Sequence, residues 1–198
     1  MERRSFGILA LAGAVAPILP ARAADKAVSV VLVHGAFVDA SGWRAVYDIL
    51  TKDGYEVLVV QNPTITLKDD VAVTQRAIAK AKNPVVLVGH SYGGSVITEA
   101  GNNPKVRSLV YLAAFAPDVG ESVAKLAENR VPGEPQAPLL PPEDGFLIVD
   151  PAKFPTAFAA DVDAATTAFM ATAQVPWGLN AVEASSPRPR GSRSPATS

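Results

Sequence analysis

The sequence predicts an α/β protein: a doubly wound parallel sheet of about four strands in spatial order 2-1-3-4, followed by a helical segment. Three observations carry that expectation. Short runs rich in Val and Leu, nearly continuous in their hydrophobicity, have the character of parallel strands covered on both faces. Segments of helix length lie between them in strict alternation, which demands right-handed crossovers within one sheet. The third run ends in a serine set among glycines just before a helix, at the carboxyl edge where such sheets bind ligands.

Taken in order, residues 1–23 stand apart from the fold. Arg3 and Arg4 precede a short apolar run from Phe6 to Leu19, and Ala21 and Ala23 offer the small residues a signal peptidase needs. The run is too short, and too interrupted by Pro17 and Pro20, for a permanent membrane span. It reads as a twin-arginine-like export signal, so the mature chain is expected to be periplasmic or secreted, with no membrane contact after cleavage.

Residues 24–182 form the expected domain, with a segment from about residue 118 that the family resemblance given below makes the cap. Its strands are 28–35, 55–63, 84–91 and 106–117. The helices between them are 42–54, 67–83 and 93–103, each ending near Gly or Asn, the usual helix stop. In the cap, 121–129 reads as a helix, the proline-rich stretch 132–145 as loop, and Asp150-Pro151 as the cap and first turn of a short helix. Val162, Ala165, Phe169 and Ala173 recur at helical spacing, a stripe that packs or lines a ligand pocket.

Composition narrows the function. With 198 residues, 48% of them hydrophobic, the chain has enough apolar material for one domain with a sizeable core. A formal net charge of -1 provides no basic field for nucleic acid. The absence of cysteine excludes disulfides and thiolate metal sites, and two histidines are too few for a His-rich metal centre.

Ser91 sits in Gly89-His90-Ser91-Tyr92-Gly93, a G-x-S-x-G elbow between strand and helix. A nucleophile at that corner crowds the residues two positions away on either side, so both must be small. The elbow aims the serine Oγ at the crevice and puts the N–H of Tyr92 at the head of the new helix. The first strand ends in His34-Gly35-Ala36-Phe37, and the Ala36 N–H is expected to join that of Tyr92 as an oxyanion hole for acyl transfer. His34 and Phe37 are candidates to line the substrate pocket. His34 is otherwise read as a structural histidine, and His90 as directed away from the serine by the turn. The spacing matches neither a dinucleotide fingerprint nor a Walker loop.

Together 30–43, 61–63, 85–102 and 109–118 resemble a bacterial α/β-hydrolase similar to plant methyl-ester hydrolases and hydroxynitrile lyases. The resemblance runs from about Val28 to about Gln174. It implies Ser91 as catalytic nucleophile, Ala36 and Tyr92 as oxyanion hole, a small-molecule ester as substrate, and no metal or cofactor. It also implies an acid and then a histidine beyond the cap, but after Gln174 the sequence has no histidine and no strand-like run. The chain is therefore read as C-terminally truncated, with impaired activity, the alternative being a non-catalytic module for small ligands. Residues 183–198, rich in Ser, Pro and Arg, read as a disordered tail, arising either from a shifted reading frame near 182–185 or as a natural flexible end. Val110 and Leu112 on the fourth strand are expected at an exposed sheet edge open to self-association.

Overall fold

A computed structural model describes residues 27–128, 133 and 136–187; residues 1–23, expected to be an export signal, and residues 188–198 lie outside the described residues. Four strands form one parallel sheet: β1 (Ser29–Val33), β2 (Glu56–Val60), β3 (Val85–His90) and β4 (Val106–Leu112). Their order is β2-β1-β3-β4, the arrangement expected from the sequence. β1 is paired on both sides, with Val31 opposite Leu58 and Leu87, and all five of its residues are buried.

Alternation along the strands makes two apolar faces. Val31, Val33, Val85 and Leu87 pack with Ile78 of α2 (Leu67–Lys80) and with Val96 and Ile97 of α3 (Gly93–Ala100). Val30, Leu32 and Val88 pack with Trp43 on the opposite face, beside Leu50 of α1 (Arg44–Lys52). This second face is the thinner one. Ile49 of α1 is 61% exposed, and Val110 and Leu112 on β4, an edge strand of the described sheet, are 37% and 43% exposed.

Local chemistry explains the helix boundaries. Thr66 Oγ1 accepts the Asp69 N–H at 3.1 Å and so caps α2, while Asp69 and Asp70 in the first turn oppose the helix dipole. Asp163 caps α6 (Ala164–Thr172) in the same way, accepting the Thr166 N–H at 3.0 Å.

The segment expected to form the cap departs from the sequence reading in three places. Its first helix, α4 (Val123–Glu128), lies where expected. The proline-rich stretch, however, ends in a hairpin. Asp144 and Gly145 adopt φ of 49° and 84°, Glu143 and Phe146 exchange both backbone hydrogen bonds, and Leu139 bridges Val149. Asp-Gly tolerates the two left-handed positions such a turn needs, a signal the prolines overshadowed. Asp150 does not cap a helix at Pro151: its Oδ1 takes the Ala152 N–H at 3.0 Å in a local turn, and α5 (Phe154–Ala157) starts later. On α6 the buried positions are Thr167 and Ala171, and Phe169 of the expected stripe is 70% exposed. Thr167 tolerates burial because its hydroxyl donates to the Asp163 and Ala164 carbonyls.

Beyond Gln174 the chain is also structured. β6 (Trp177–Gly178) pairs antiparallel with β5 (Phe146–Leu147), and α7 (Leu179–Glu183) follows. Ser186, which composition assigned to the unfolded tail, is buried. It donates its N–H to Glu121 O and accepts from Gly120 N–H, each at 2.8 Å, and its hydroxyl bonds the Glu99 carboxylate. Satisfied polar groups at Ser186 add to the apolar packing of Ala181, Val182 and Ala184 in holding this segment down.

The helix carrying the elbow packs too closely on the chain after β4 to admit a side chain at its start. A carbon added to Gly94 would stand 2.0 Å from Phe115 O, whereas one added to Gly42 meets nothing within 4 Å. Gly94→Ala is expected to cost about 3 kcal/mol in urea denaturation, and Gly42→Ala to stay within about 0.5 kcal/mol of the parent.

Candidate active site

Ser91 leaves β3 with φ of 53°, a left-handed conformation that a non-glycine residue holds only when its surroundings enforce it. Those surroundings are backbone. The Ser91 N–H donates to Leu112 O at 3.3 Å, and Ser91 O accepts from Gly94 N–H at 3.0 Å and Phe115 N–H at 3.1 Å. The glycines are required by contact distance. A carbon on Gly89 would lie 2.5 Å from Gly93 O, and one on Gly93 would lie 2.7 Å from both Val33 O and His34 O. The elbow is thus wedged directly against the end of β1.

Gly35 completes that approach. A carbon there would fall 2.8 Å from Ser91 Cβ and 3.3 Å from its Oγ, so the first loop passes directly beside the half-buried serine. Ala36 follows, buried, and then Phe37, buried with φ of 67°. Tyr92, on the other side of the serine, is fully buried at the head of α3. The structure therefore brings Ser91, Ala36 and Tyr92 to the carboxyl edges of β1 and β3, the two neighbouring central strands.

The histidines have other engagements. His34 Nε2 accepts the Asn62 N–H at 2.9 Å, so its Nδ1–H is the donor to Gly35 O at 2.8 Å. Asn62 Nδ2 returns a hydrogen bond to His34 O at 3.0 Å. Burial holds the imidazole below its ordinary pKa, keeping it neutral. His90 stands edge-on to the Trp43 ring at 6.5 Å, on the α1 side of the sheet, and burial lowers its pKa as well.

The two candidate pocket residues part company. Phe37 lines a cavity of about 300 Å³ with Val38, Thr166, Phe169 and Met170, between the first loop and α6. His34 lines a different cavity of about 290 Å³ with Trp43, Val46, His90 and Leu112. They stand three positions apart, and the chain turns between them, with Phe37 at φ of 67°. Among the described residues no three His, Asp or Glu side chains stand together as ligands for a metal ion.

A family model described as the alpha/beta hydrolase family matches residues 30–196. The chain belongs to the α/β-hydrolase family. It is 37% identical over 121 residues to a carbendazim hydrolyzing esterase of Nocardioides sp. (strain SG-4G), covering 54% of this chain and 50% of that one. It is 33% identical over 130 residues to an alpha/beta hydrolase of Aspergillus novofumigatus (strain IBT 16806), covering 55% and 52%. The chain thus spans about half the length of these relatives. Among solved structures, a methylesterase from Arabidopsis superposes with a TM-score of 0.61 at 20% identity, covering 82% of this chain and 72% of that one. At that identity the likeness is one of fold.

In this α/β-hydrolase the sequence reading missed three residues that bear on the site. The Tyr92 hydroxyl donates to Asp70 Oδ2 at 2.5 Å, and Asp70 Oδ1 accepts the Thr64 N–H at 2.9 Å. Trp177 packs on the Tyr92 ring at 5.1 Å. Asp70 was legible only as a helix-opening acid, and nothing in its spacing reveals that it is buried beneath the elbow. Burial pushes its carboxyl up to about 6, against the opposing pull of the Tyr92 hydroxyl and the Thr64 N–H. Burial and the Asp70 charge push the Tyr92 phenol up in turn.

Because the folded carboxyl titrates near 6 and the unfolded one near 3.8, the folded chain holds an extra proton between those values. Stability at this site is therefore greatest at the acid end of that window and falls as pH rises through about 6, by a total on the order of 3 kcal/mol. Asp70→Asn is expected to remove the fall: urea denaturation from pH 4 to 7.5 will show the variant gaining on the parent as pH rises. Parallel curves would exclude an uphill charge at Asp70.

Proposed function

We propose that this protein is a serine-dependent hydrolase of small carboxylic esters, exported by its first 23 residues to the periplasm or beyond. The observation that carries the reading is Ser91, held at φ of 53° on a strand-to-helix corner with Gly35 packed against its Cβ. In this mechanism the Ser91 Oγ attacks the ester carbonyl, and the N–H groups of Ala36 and Tyr92 donate hydrogen bonds to the developing oxyanion. The tetrahedral intermediate expels the alcohol and leaves an acyl-enzyme that water hydrolyses. The apolar cavity of about 300 Å³ beside Phe37 supports a small-molecule substrate, and the esterase relative supports the ester class.

Turnover is proposed to be impaired. Both ring nitrogens of His34 are committed, and His90 faces Trp43 on the far side of the sheet. The sequence contains no third histidine. Without a general base the serine lacks the partner that takes its proton, a loss that costs about three or more orders of magnitude in rate. The same commitment of the histidines favours a second reading, a module that binds small esters or acids without turning them over.

A fluorophosphonate probe separates these readings. The expected outcome is slow stoichiometric labelling that vanishes in Ser91→Ala, with p-nitrophenyl acetate hydrolysis too slow for useful turnover. Labelling that persists in Ser91→Ala would sink the assignment, and labelling at the rate of an intact serine esterase would sink the impairment. Ligand binding with no labelling would establish the binding module.

A further inference from the structure

The two proposed oxyanion donors belong to different loops, yet the side chains next to them meet on one indole. Trp177 is buried, with its ring 5.7 Å from Phe37 in an edge-on contact and 5.1 Å from Tyr92. Each partner is pinned on another side as well. The Tyr92 hydroxyl is tied to Asp70 at 2.5 Å, and Phe37 meets the Phe158 ring edge-on at 6.3 Å.

The backbone carrying the indole has no slack. Thr64 Oγ1 donates to Pro176 O at 2.8 Å, and Thr64 O accepts the Gly178 N–H at 2.8 Å, so the residues on either side of Trp177 are fastened to the loop between β2 and α2. Leu147 pairs with Trp177 across the β5–β6 ladder. A carbon on Gly178 would stand 2.3 Å from Ile65 O, which leaves the ladder no room to shift that way. The indole N–H, by contrast, is buried with no hydrogen-bond partner among the described residues. Ring contact is what seats the side chain.

We propose that Trp177 is a positioning residue for the oxyanion site, its indole acting as the spacer that sets the separation between the Ala36–Phe37 arm and the Ser91–Tyr92 arm. The proposal rests on the serine-hydrolase reading above. Phe37, at φ of 67°, holds a conformation that relaxes unless outside contacts enforce it, and the indole edge is one of two aromatic contacts doing so. Releasing Phe37 swings the Ala36 peptide, and a donor displaced by about 1 Å costs on the order of a hundredfold in rate. The ring acts through both arms and touches neither substrate nor the reacting atoms.

The test exploits the absence of cysteine from the sequence. In a Ser91→Cys chain position 91 carries the sole thiol. Acylation by p-nitrophenyl acetate at that thiol develops an oxyanion, whereas alkylation by iodoacetamide displaces iodide at a saturated carbon and develops none. Adding Trp177→Leu is expected to slow acylation about 10- to 100-fold and leave alkylation within about twofold. Trp177→Phe, which keeps a ring in the gap, should restore acylation to within about threefold. An equal loss with both reagents would mean general loosening and overturn the proposal, as would unchanged acylation in Trp177→Leu or failure of Phe to rescue. If the Ser91→Cys chain with Trp177 intact acylates no faster than a free thiol, the serine reading itself fails, and that result is distinguishable from the others.

Discussion

The close approach of three backbones at the carboxyl ends of β1, β3 and β4 is the constraint on which the rest of the structure depends. Gly93 leaves 2.7 Å between an added carbon and the carbonyls of Val33 and His34, and Gly94 leaves 2.0 Å to Phe115 O. That proximity lets Ser91 sit at a left-handed φ, because its N–H and C=O are both taken by the chain after β3 and β4. A strained residue of this kind costs on the order of 1–3 kcal/mol and persists only where its neighbours over-determine it. Here the over-determination comes from hydrogen bonds to Leu112 O, Phe115 N–H and Gly94 N–H.

A second level of support lies beneath the elbow and is polar. Asp70, Thr64 and Tyr92 form a buried chain of hydrogen bonds joining α2, the loop before it and the start of α3. A buried carboxylate is costly unless its oxygens are satisfied. Asp70 spends one oxygen on each neighbouring element and still titrates high, because two neutral donors do not replace the hydration that burial removes. Thr64 extends the chain to Pro176 and Gly178, so the cap's short ladder and the core's elbow share one anchor. The cap is fastened to the site at its base, where the tyrosine is held.

The site was legible to different depths. Ser91 and its glycines are local: the spacing G-x-S-x-G between an apolar run and a helix has few uses, and the contact distances at Gly89, Gly93 and Gly94 account for it. Ala36 followed from its place one residue beyond the first strand's His-Gly. His34 was correctly read as a structural histidine, and the structure supplies its partners, Gly35 O and the Asn62 N–H. Of His34 and Phe37, the candidate pocket residues, each lines a cavity of its own, one on either side of the first loop's Val38 and Asp39. Asp70 and Trp177 were out of reach. An acid at a helix start and a tryptophan after a proline look ordinary until their burial is known.

What the sequence by itself determined is the sheet. Continuous apolar runs spaced by helix-length segments admit one economical burial, and the order β2-β1-β3-β4 follows from short right-handed crossovers. The elbow belongs to the same class of information, since it depends on residues adjacent in the chain. Only the tertiary structure decided which face of α6 is buried, that Asp-Gly at 144–145 closes a hairpin, that Ser186 docks on Glu99 and Glu121, and that an indole at position 177 touches rings at 37 and 92. The physical reason is range. Strand and elbow signals reside in steric and hydrophobic preferences of neighbouring residues, whereas these contacts join segments far apart in sequence whose pairing depends on the shape left over once the sheet has formed.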